Sequence, residues 1–347
     1  VQQTLAELCE QASAGADAAE LPFAVAGEDA GLWNVRGGLA VCQSTLALLS
    51  EDVERAAEFS RQATVYLQEQ NPFVRSFMAL DDSLFFVLSG DAEKAIESLR
   101  DTVRLALQAN NLLVLIIATW EIAEMQTLQA QLGRAWATLQ KAEYMAVGPD
   151  GEPLALGGLG DIGYGAILLE RDLLQEAQEY LERGRKATQA LWPISNLDAM
   201  IAQAQLYHAR GDIAESQAVL AEASRLALST ESSQWDDTIV SSVAVRLALQ
   251  CDDLAQAALW WKTGRFPDLA GSIAPEDYPY AIYEHLALTH ARFLLVSGEN
   301  SGRTRDLLHA RELLERLLPE TERLHRVRSQ IEVLVLQAMV QSSLGND

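Results

Sequence analysis

Two nine-residue stretches decide the fold: LERDLLQEA at residues 169–177 and HARGDIAES at residues 208–216. In each stretch a run of good helix formers leads into a short polar segment, and a second such run follows it. We take Asp172 and Gly211 as the turn residues, so each stretch predicts a helix end, a tight turn and a helix start. A turn of this kind that recurs along a chain is typical of stacked helix hairpins.

The same pattern recurs at intervals of 39 to 47 residues. Its turn residues, called anchors below, are Glu51, Gly90, Ala130, Asp172, Gly211, Asp252, Gly298 and Gly345. The anchors predict about seven hairpins with a period near 40 residues. First helices are expected to begin near residues 32, 72, 112, 154, 194, 236 and 279, and second helices near 52, 91, 131, 173, 212, 253 and 304. After Gly298, residues 299–305 are expected to lengthen the turn of the seventh hairpin.

Residue size at fixed distances from the anchors supports the repeat. The residues five positions after the first six anchors are all small: Ala56, Ala95, Ala135, Ala177, Ser216 and Ala257. The residues nine positions after them are mostly large and apolar: Ser60, Leu99, Leu139, Leu181, Leu220 and Trp261. Small residues at matched heights let two helices approach, and a large residue between them fills the seam.

The proline positions lead to the same domain organisation. Each of the nine prolines, including Pro319, is expected between a second helix and the next first helix, because proline breaks a helix interior. The sequence therefore predicts one all-α domain over residues 1–347, a TPR-like superhelix. Within it we expect an N-terminal helix and loop at 1–31, hairpin repeats at 32–320 and the first helix of a truncated repeat at 321–347. A first helix without its partner would expose an apolar face, so we expect more protein beyond residue 347 and before Val1.

Charge and composition narrow the classes of partner. The formal net charge is −23, from 26 Lys and Arg against 49 Asp and Glu, which disfavours direct contact with nucleic acid. The three cysteines, Cys9, Cys42 and Cys251, are too widely spaced to predict a disulfide framework or a zinc site. No signal peptide and no membrane-spanning run is visible, so we expect a cytoplasmic protein without membrane contact.

Three segments carry a resemblance to a known family: GRAWATLQKA at 133–142, LERG at 181–184 and GDIAESQAVL at 211–220. They resemble the helical-repeat domain of MalT-like regulators, the large ATP-dependent members of the LuxR family, and the resemblance covers roughly residues 32–345. It implies a domain that receives an inducer signal and helps control self-association, between an ATP-binding module and a helix-turn-helix. Neither module is visible in this sequence, since no lysine follows a glycine-rich GxxxxG and no basic recognition helix is present.

Signatures of catalysis, cofactor binding or metal binding are weak. A GxGxxG occurs at Gly158, Gly160 and Gly163, but it follows prolines rather than a strand. We expect it to serve close backbone packing in a weakened helix. His285 and His290 are five residues apart, which does not match the HExxH zinc motif. The sequence therefore predicts no enzyme, no cofactor and no metal.

A ligand site is expected on the concave surface, which first helices usually line. By analogy with such repeats, inner positions lie about 13, 10, 6 and 3 residues before each anchor. From these positions, which also include Thr127, Ser242 and Glu332, we predict eight ligand-binding residues: Trp120, Glu124, Asp198, Gln205, His208, Arg246, His285 and Arg292. Polar groups of both signs beside an aromatic side chain suit a small-molecule inducer. The alternative is a generic TPR-type scaffold that binds a peptide or protein partner.

Overall fold

The structure is a computed structural model that describes residues 36–41, 43–44, 53–66, 72–148, 153–189, 195–229, 234–264, 266, 273 and 278–345. In this part of the chain the α-helices are α1 (Val53–Tyr66), α2 (Pro72–Leu88), α3 (Ala92–Gln108), α4 (Leu112–Leu128), α5 (Leu132–Met145), α6 (Gly158–Glu170), α7 (Leu174–Thr188), α8 (Ser195–Arg210), α9 (Ile213–Ser229), α10 (Gln234–Gln250), α11 (Leu254–Thr263), α12 (Tyr280–Ser301), α13 (Thr304–Arg323) and α14 (Val327–Ser343). Residues 36–41 and 43–44 are also helical, and the predicted helix and loop at 1–31 lie outside the described residues.

The helices pack in antiparallel pairs that stack on one another, so the predicted all-α superhelix of TPR-like hairpins is confirmed. The turns inside the pairs explain the anchors. Gly90, Ala130, Asp172, Gly211 and Asp252 all have a positive φ, between 56° and 84°. This left-handed conformation reverses the chain after the first helix of each pair.

The prediction that Gly298 is a turn residue was wrong, and so was the prediction of a lengthened turn at residues 299–305. Helix α12 continues to Ser301, and Gly302 is the residue with positive φ, at 66°. Gly298 instead lies inside the helix, where a Cβ atom would be 2.8 Å from the side chain of Leu307 on α13. Glycine at this position therefore permits close packing of the two helices rather than a turn.

The expected position of Pro319 was also wrong. Pro319 lies inside α13, which ends at Arg323, and α14 begins at Val327 rather than near residue 321. Proline at this position removes the hydrogen bond to the carbonyl of Glu315. Both residues are exposed, so water can solvate the freed carbonyl.

The seam inside each pair has the predicted alternation of small and large residues. Ala95, Ala135, Ala177 and Ala257 are each 0% exposed. The large residues expected between the small ones are buried as well: Leu99, Leu139, Leu181, Leu220 and Trp261. These residues belong to the apolar clusters that run along the superhelix and hold each pair together.

The C-terminal hairpins contact earlier hairpins of the superhelix. Helix α12 contacts α2, and α14 contacts α4. The ring of Tyr280 packs on Gly90, where a side chain would collide with it. Arg328 Nη2 lies 2.5 Å from Glu170 Oε1, and His325 Nε2 lies 3.4 Å from Glu93 Oε2. These contacts between distant hairpins enclose the concave side.

Helix α14 carries apolar residues on both of its faces. Val333, Leu336 and Val340 are buried against the preceding helices. Ile331, Leu334, Val335 and Met339 are between 46% and 54% exposed.

Among the described residues, no helix combines the length and the apolar character needed to cross a membrane.

The anchor Ala130 provides a test of the turn geometry. Its φ of 56° costs a residue with a Cβ atom about 1–2 kcal/mol. We therefore expect Ala130→Gly to increase the free energy of unfolding by about 0.5–1 kcal/mol, after the larger entropy of the unfolded glycine chain is subtracted. Chemical denaturation measures the change. The control, Ala218→Gly, lies on the exposed side of α9 and should lower stability by about 1 kcal/mol.

Candidate functional site

The inner wall of the superhelix surrounds a cavity of about 480 Å³, called the central cavity below. The structure brings seven of the eight predicted residues to its lining: Trp120, Glu124, Asp198, Gln205, Arg246, His285 and Arg292. Thr127 and Glu332, from the same inner positions, also line it. These residues come from α4, α8, α10, α12 and α14, all of them first helices of pairs. Ser242, also from a predicted inner position, is buried and does not line the cavity.

His208 is not part of this lining. Its Nδ1 atom lies 4.0 Å from Cys251 Sγ, at the turn between α10 and α11. Burial lowers the pKa of His208. Its side chain therefore reaches the turn of the next repeat rather than the central cavity.

Arginines dominate one side of the cavity. Arg246 donates hydrogen bonds from Nε to Thr289 Oγ1 at 2.8 Å and from Nη2 to the carbonyl of His285 at 3.3 Å. Glu332 Oε1 is shared between two guanidinium groups, 3.5 Å from Arg246 Nη1 and 3.1 Å from Arg292 Nε. Arg246 and Arg292, together with Glu332, are called the basic cluster. These arginines lower the pKa of Glu332 against the effect of its burial.

A buried ion pair stands beside the basic cluster. Arg326 donates from Nε and Nη2 to both carboxylate oxygens of Glu284 at 2.6–2.9 Å, and both side chains are 5% exposed. Sequence reasoning missed this pair, because the two residues are 42 positions apart and neither occupies a predicted inner position. Arg326 also lines the central cavity, and its Nη1 atom has no hydrogen-bond partner.

Three carboxyl groups lie near one another at or close to the cavity. Glu121 and Glu124 on α4 and Asp198 on α8 are called the acidic cluster. Burial, reinforced by neighbouring carboxylates, raises the pKa of Asp198 to about 7 and that of Glu121 to about 8. Asp198 is exposed to the cavity, but the surrounding superhelix limits its hydration. Burial also raises the pKa of Glu124, against the opposing charge of Arg328.

Two further buried polar atoms at the cavity have no hydrogen-bond partner, Trp120 Nε1 and His285 Nε2. Burial, followed by the positive charges of Arg246, Arg328 and Arg326, lowers the pKa of His285 well below its usual value. The imidazole is therefore neutral near pH 7. Unsatisfied buried polar groups are costly, so a ligand that pairs with them gains binding energy.

Part of the cavity wall is apolar. Ile162, Ile201, Val243, Leu247 and Leu288 all line the cavity. Concave sites with apolar walls and a few converging polar groups are typical of ligand pockets of this volume. In the part of the chain that the structure describes, no group of three or more His, Cys, Asp or Glu residues is placed to hold a metal ion.

The raised pKa of Asp198 predicts a pH-dependent stability. Its pKa is about 7 in the folded chain, above the usual 3.8, so the folded state binds more protons than the unfolded state between these values. Stability therefore falls as pH rises through this window. The charged groups that face Asp198 are Glu124 on α4 and Asp236 on α10, and both oppose its ionisation.

We expect Asp198→Asn to raise the Tm by about 2 °C at pH 8 and to leave it unchanged at pH 4. Thermal unfolding followed by circular dichroism measures both values. Asp101→Asn, an exposed substitution on α3, is the control and should show no such difference between the two pH values. An equal effect of Asp198→Asn at both pH values would contradict the role of ionisation.

Fold and cavity together define the class of protein, a TPR-like helical-repeat domain with a closed concave side. The family described as the MalT-like TPR region matches residues 37–347, and the chain belongs to this family. The resemblance that the sequence predicts is thereby confirmed. A comparison with curated proteins finds no match.

Two solved structures are similar in fold. NprR in complex with its cognate peptide NprX is 12% identical with a TM-score of 0.54, over 89% of this chain and 84% of that one. The Rap protein complexed with competence and sporulation factor is 11% identical with a TM-score of 0.57, over 99% of this chain and 93% of that one. At these identities the likeness concerns the fold alone.

Proposed function

We propose that this chain is the effector-sensing domain of a MalT-like transcription regulator and that the effector binds in the central cavity. The observation that carries this proposal is the convergence of charged and unpartnered polar groups from five first helices on one enclosed space. Family membership supports the regulator role. The domain acts by binding rather than by catalysis.

The position of the cavity supports a coupling between binding and shape. Its lining comes from first helices that are far apart in the sequence, including α4 and α14, which contact each other. A ligand that contacts both of these helices favours the closed superhelix over an open one, and only such a difference in affinity can shift the equilibrium between two shapes. Self-association of the full-length regulator, in the cytoplasm, is the output that we propose for this shift. The acidic chain itself does not contact DNA in this proposal.

A thermal-shift screen of the 347-residue chain tests the proposal. The probes are sugars, amino acids, nucleotides, aromatic metabolites and short peptides. A ligand present at a hundred times its Kd should stabilise the chain by about 2.7 kcal/mol. The blocking variant is Gln205→Trp, which fills the cavity from a position that is exposed in the unliganded chain. Its matched control is Gln217→Trp on the exposed face of α9.

We expect a saturable shift that survives Gln217→Trp and disappears in Gln205→Trp. A shift that survives both variants would place the ligand elsewhere and overturn the cavity as the site. A screen without any shift would remove the support for effector sensing.

The second candidate function is a scaffold that binds a peptide or protein partner. It is favoured by the fold similarity to NprR, whose structure holds its cognate peptide. Peptides that alone shift the Tm, together with neighbouring gene sequence that lacks a Walker A motif and a helix-turn-helix, would favour the scaffold.

A further inference from the structure

We infer that the ligand of the central cavity carries a primary ammonium group, held by Glu124 and Asp198, and a carboxylate, held by Arg246 and Arg292, at the two ends of an apolar body. This inference rests on the proposed function, since it specifies the chemistry of the effector. It applies equally to a free apolar amino acid and to a short apolar peptide with free termini.

The first argument comes from the distribution of ion pairs in the cavity lining. Glu284 is matched by Arg326, and Glu170 by Arg328. The single carboxylate of Glu332 serves both Arg246 and Arg292. In the described part of the chain no cation forms an ion pair with Glu124 or Asp198. The lining therefore holds two carboxylates without an ion-pair partner, Glu124 and Asp198, and two guanidinium groups that share a single carboxylate.

The second argument concerns the acidic cluster. Besides burial, the charges that shift the pKa of Asp198 are those of Glu124 and Asp236, so carboxylates rather than arginines surround it. Carboxylates that oppose one another in a poorly hydrated space are relieved by a cation between them. A primary ammonium has three donors, which suits two carboxylates from different helices. The unpartnered Trp120 Nε1 lies on the same helix as Glu124 and offers a donor to a carbonyl or carboxyl oxygen.

The third argument concerns the basic cluster. Two guanidinium groups share one carboxylate, and this leaves N–H donors that a second carboxylate can accept, since arginine binds carboxylates in a bidentate manner. Next to the cluster, Arg326 is only 5% exposed and its Nη1 atom lacks a partner. His285 adds an unpartnered Nε2 atom. A buried guanidinium nitrogen without a partner, on a residue that lines the cavity, indicates a site built for an acceptor.

The fourth argument concerns the apolar residues of the cavity wall. Ile201, Val243 and Leu247 line the cavity from α8 and α10. A sugar or a nucleotide would leave its hydroxyl groups without partners along this wall, which costs binding energy. An aliphatic body between two charged ends satisfies all three parts of the lining.

The test is affinity-selection mass spectrometry on the 347-residue chain. One arm uses a mixture of free apolar amino acids, and the other uses a pool of tripeptides with an apolar central residue. The tripeptide pool is presented with free termini, N-acetylated and C-amidated, and isothermal titration calorimetry then gives the Kd of each retained compound. The arm that yields the tighter binder shows whether the ligand is a free amino acid or a short peptide.

We expect loss of either charge on the ligand to weaken binding at least about tenfold, as is typical for a lost hydrogen bond between charged groups. Asp198→Asn should weaken the binding of the compound with free termini but have little further effect on the binding of the N-acetylated compound. Arg292→Gln should likewise weaken the binding of the compound with free termini but have little further effect on the binding of the C-amidated compound. Asp101→Asn, on the exposed face of α3, is the control variant and should leave every Kd unchanged.

Equal affinity for the free, acetylated and amidated forms would overturn the inference. So would a sugar or nucleotide that is bound saturably and lost in Gln205→Trp, although this result would leave the proposed function standing. If no compound from any class binds, both this inference and the proposed function are overturned.

Discussion

Gly184→Ala is expected to lower the free energy of unfolding by about 3 kcal/mol, the upper range for an overpacked core. Gly184 on α7 faces the start of α6, where the two backbones touch. A Cβ atom at residue 184 would lie 2.9 Å from the carbonyl oxygen of Gly158 and 3.0 Å from the backbone nitrogen of Ile162. Backbone atoms cannot rotate away as a side chain can, so the helices must separate and lose their shared burial.

Gly160→Ala is the matched control for this experiment. It lies on α6 within the same glycine-rich segment, but a Cβ atom there meets nothing within 4 Å. Alanine should therefore stabilise the helix by about 1 kcal/mol. Urea denaturation of both variants gives the two changes. A loss smaller than about 0.5 kcal/mol for Gly184→Ala would show that α6 and α7 can separate without cost, contrary to the packing described.

Glu284→Ala is the second large effect that we expect, a loss of about 3–5 kcal/mol. The substitution leaves the guanidinium group of Arg326 buried without its bidentate partner. Water cannot replace the carboxylate, because the arginine is only 5% exposed. Chemical denaturation at pH 7 measures the loss.

Two comparisons separate charge burial from a simple loss of packing. The double variant Glu284→Met, Arg326→Met removes both charges and should recover most of the stability, since apolar residues of similar volume replace buried ion pairs at little cost. Glu320→Ala breaks the exposed pair with Arg323 and should cost less than about 1 kcal/mol. If the double variant is as unstable as Glu284→Ala, the ion pair is not the cause.

Local chemistry made most of the fold predictable. Gly90 and Gly211 are residues that tolerate a positive φ, and the regular spacing of Ala95, Ala135 and Ala177 identified the packed face. Gly298 misled the prediction because glycine serves two purposes, a turn or a close helix contact, and the sequence alone does not separate them. Pro319 misled it because an exposed proline near a helix end costs less than one in a buried interior.

The inner wall was predictable for the same reason as the fold, since a helix of known register presents known positions. Trp120, Asp198 and Arg246 followed from counting back from the anchors. The pair of Glu284 with Arg326 did not, because it depends on how the first helices of two neighbouring repeats pack. His208 was misplaced because its imidazole lies beside Cys251 at the turn of the next repeat, and the helix register alone does not reveal that contact.

The contacts between the C-terminal hairpins and earlier ones change how this protein should lose its structure. In an open repeat protein each unit touches only its neighbours, so terminal units fray independently and unfolding can proceed stepwise. Here Tyr280 rests on Gly90, and Arg328 pairs with Glu170. Fraying at the C-terminal hairpins must therefore also break contacts with the early ones. We therefore expect the units that these contacts join to unfold in a single cooperative transition rather than one by one.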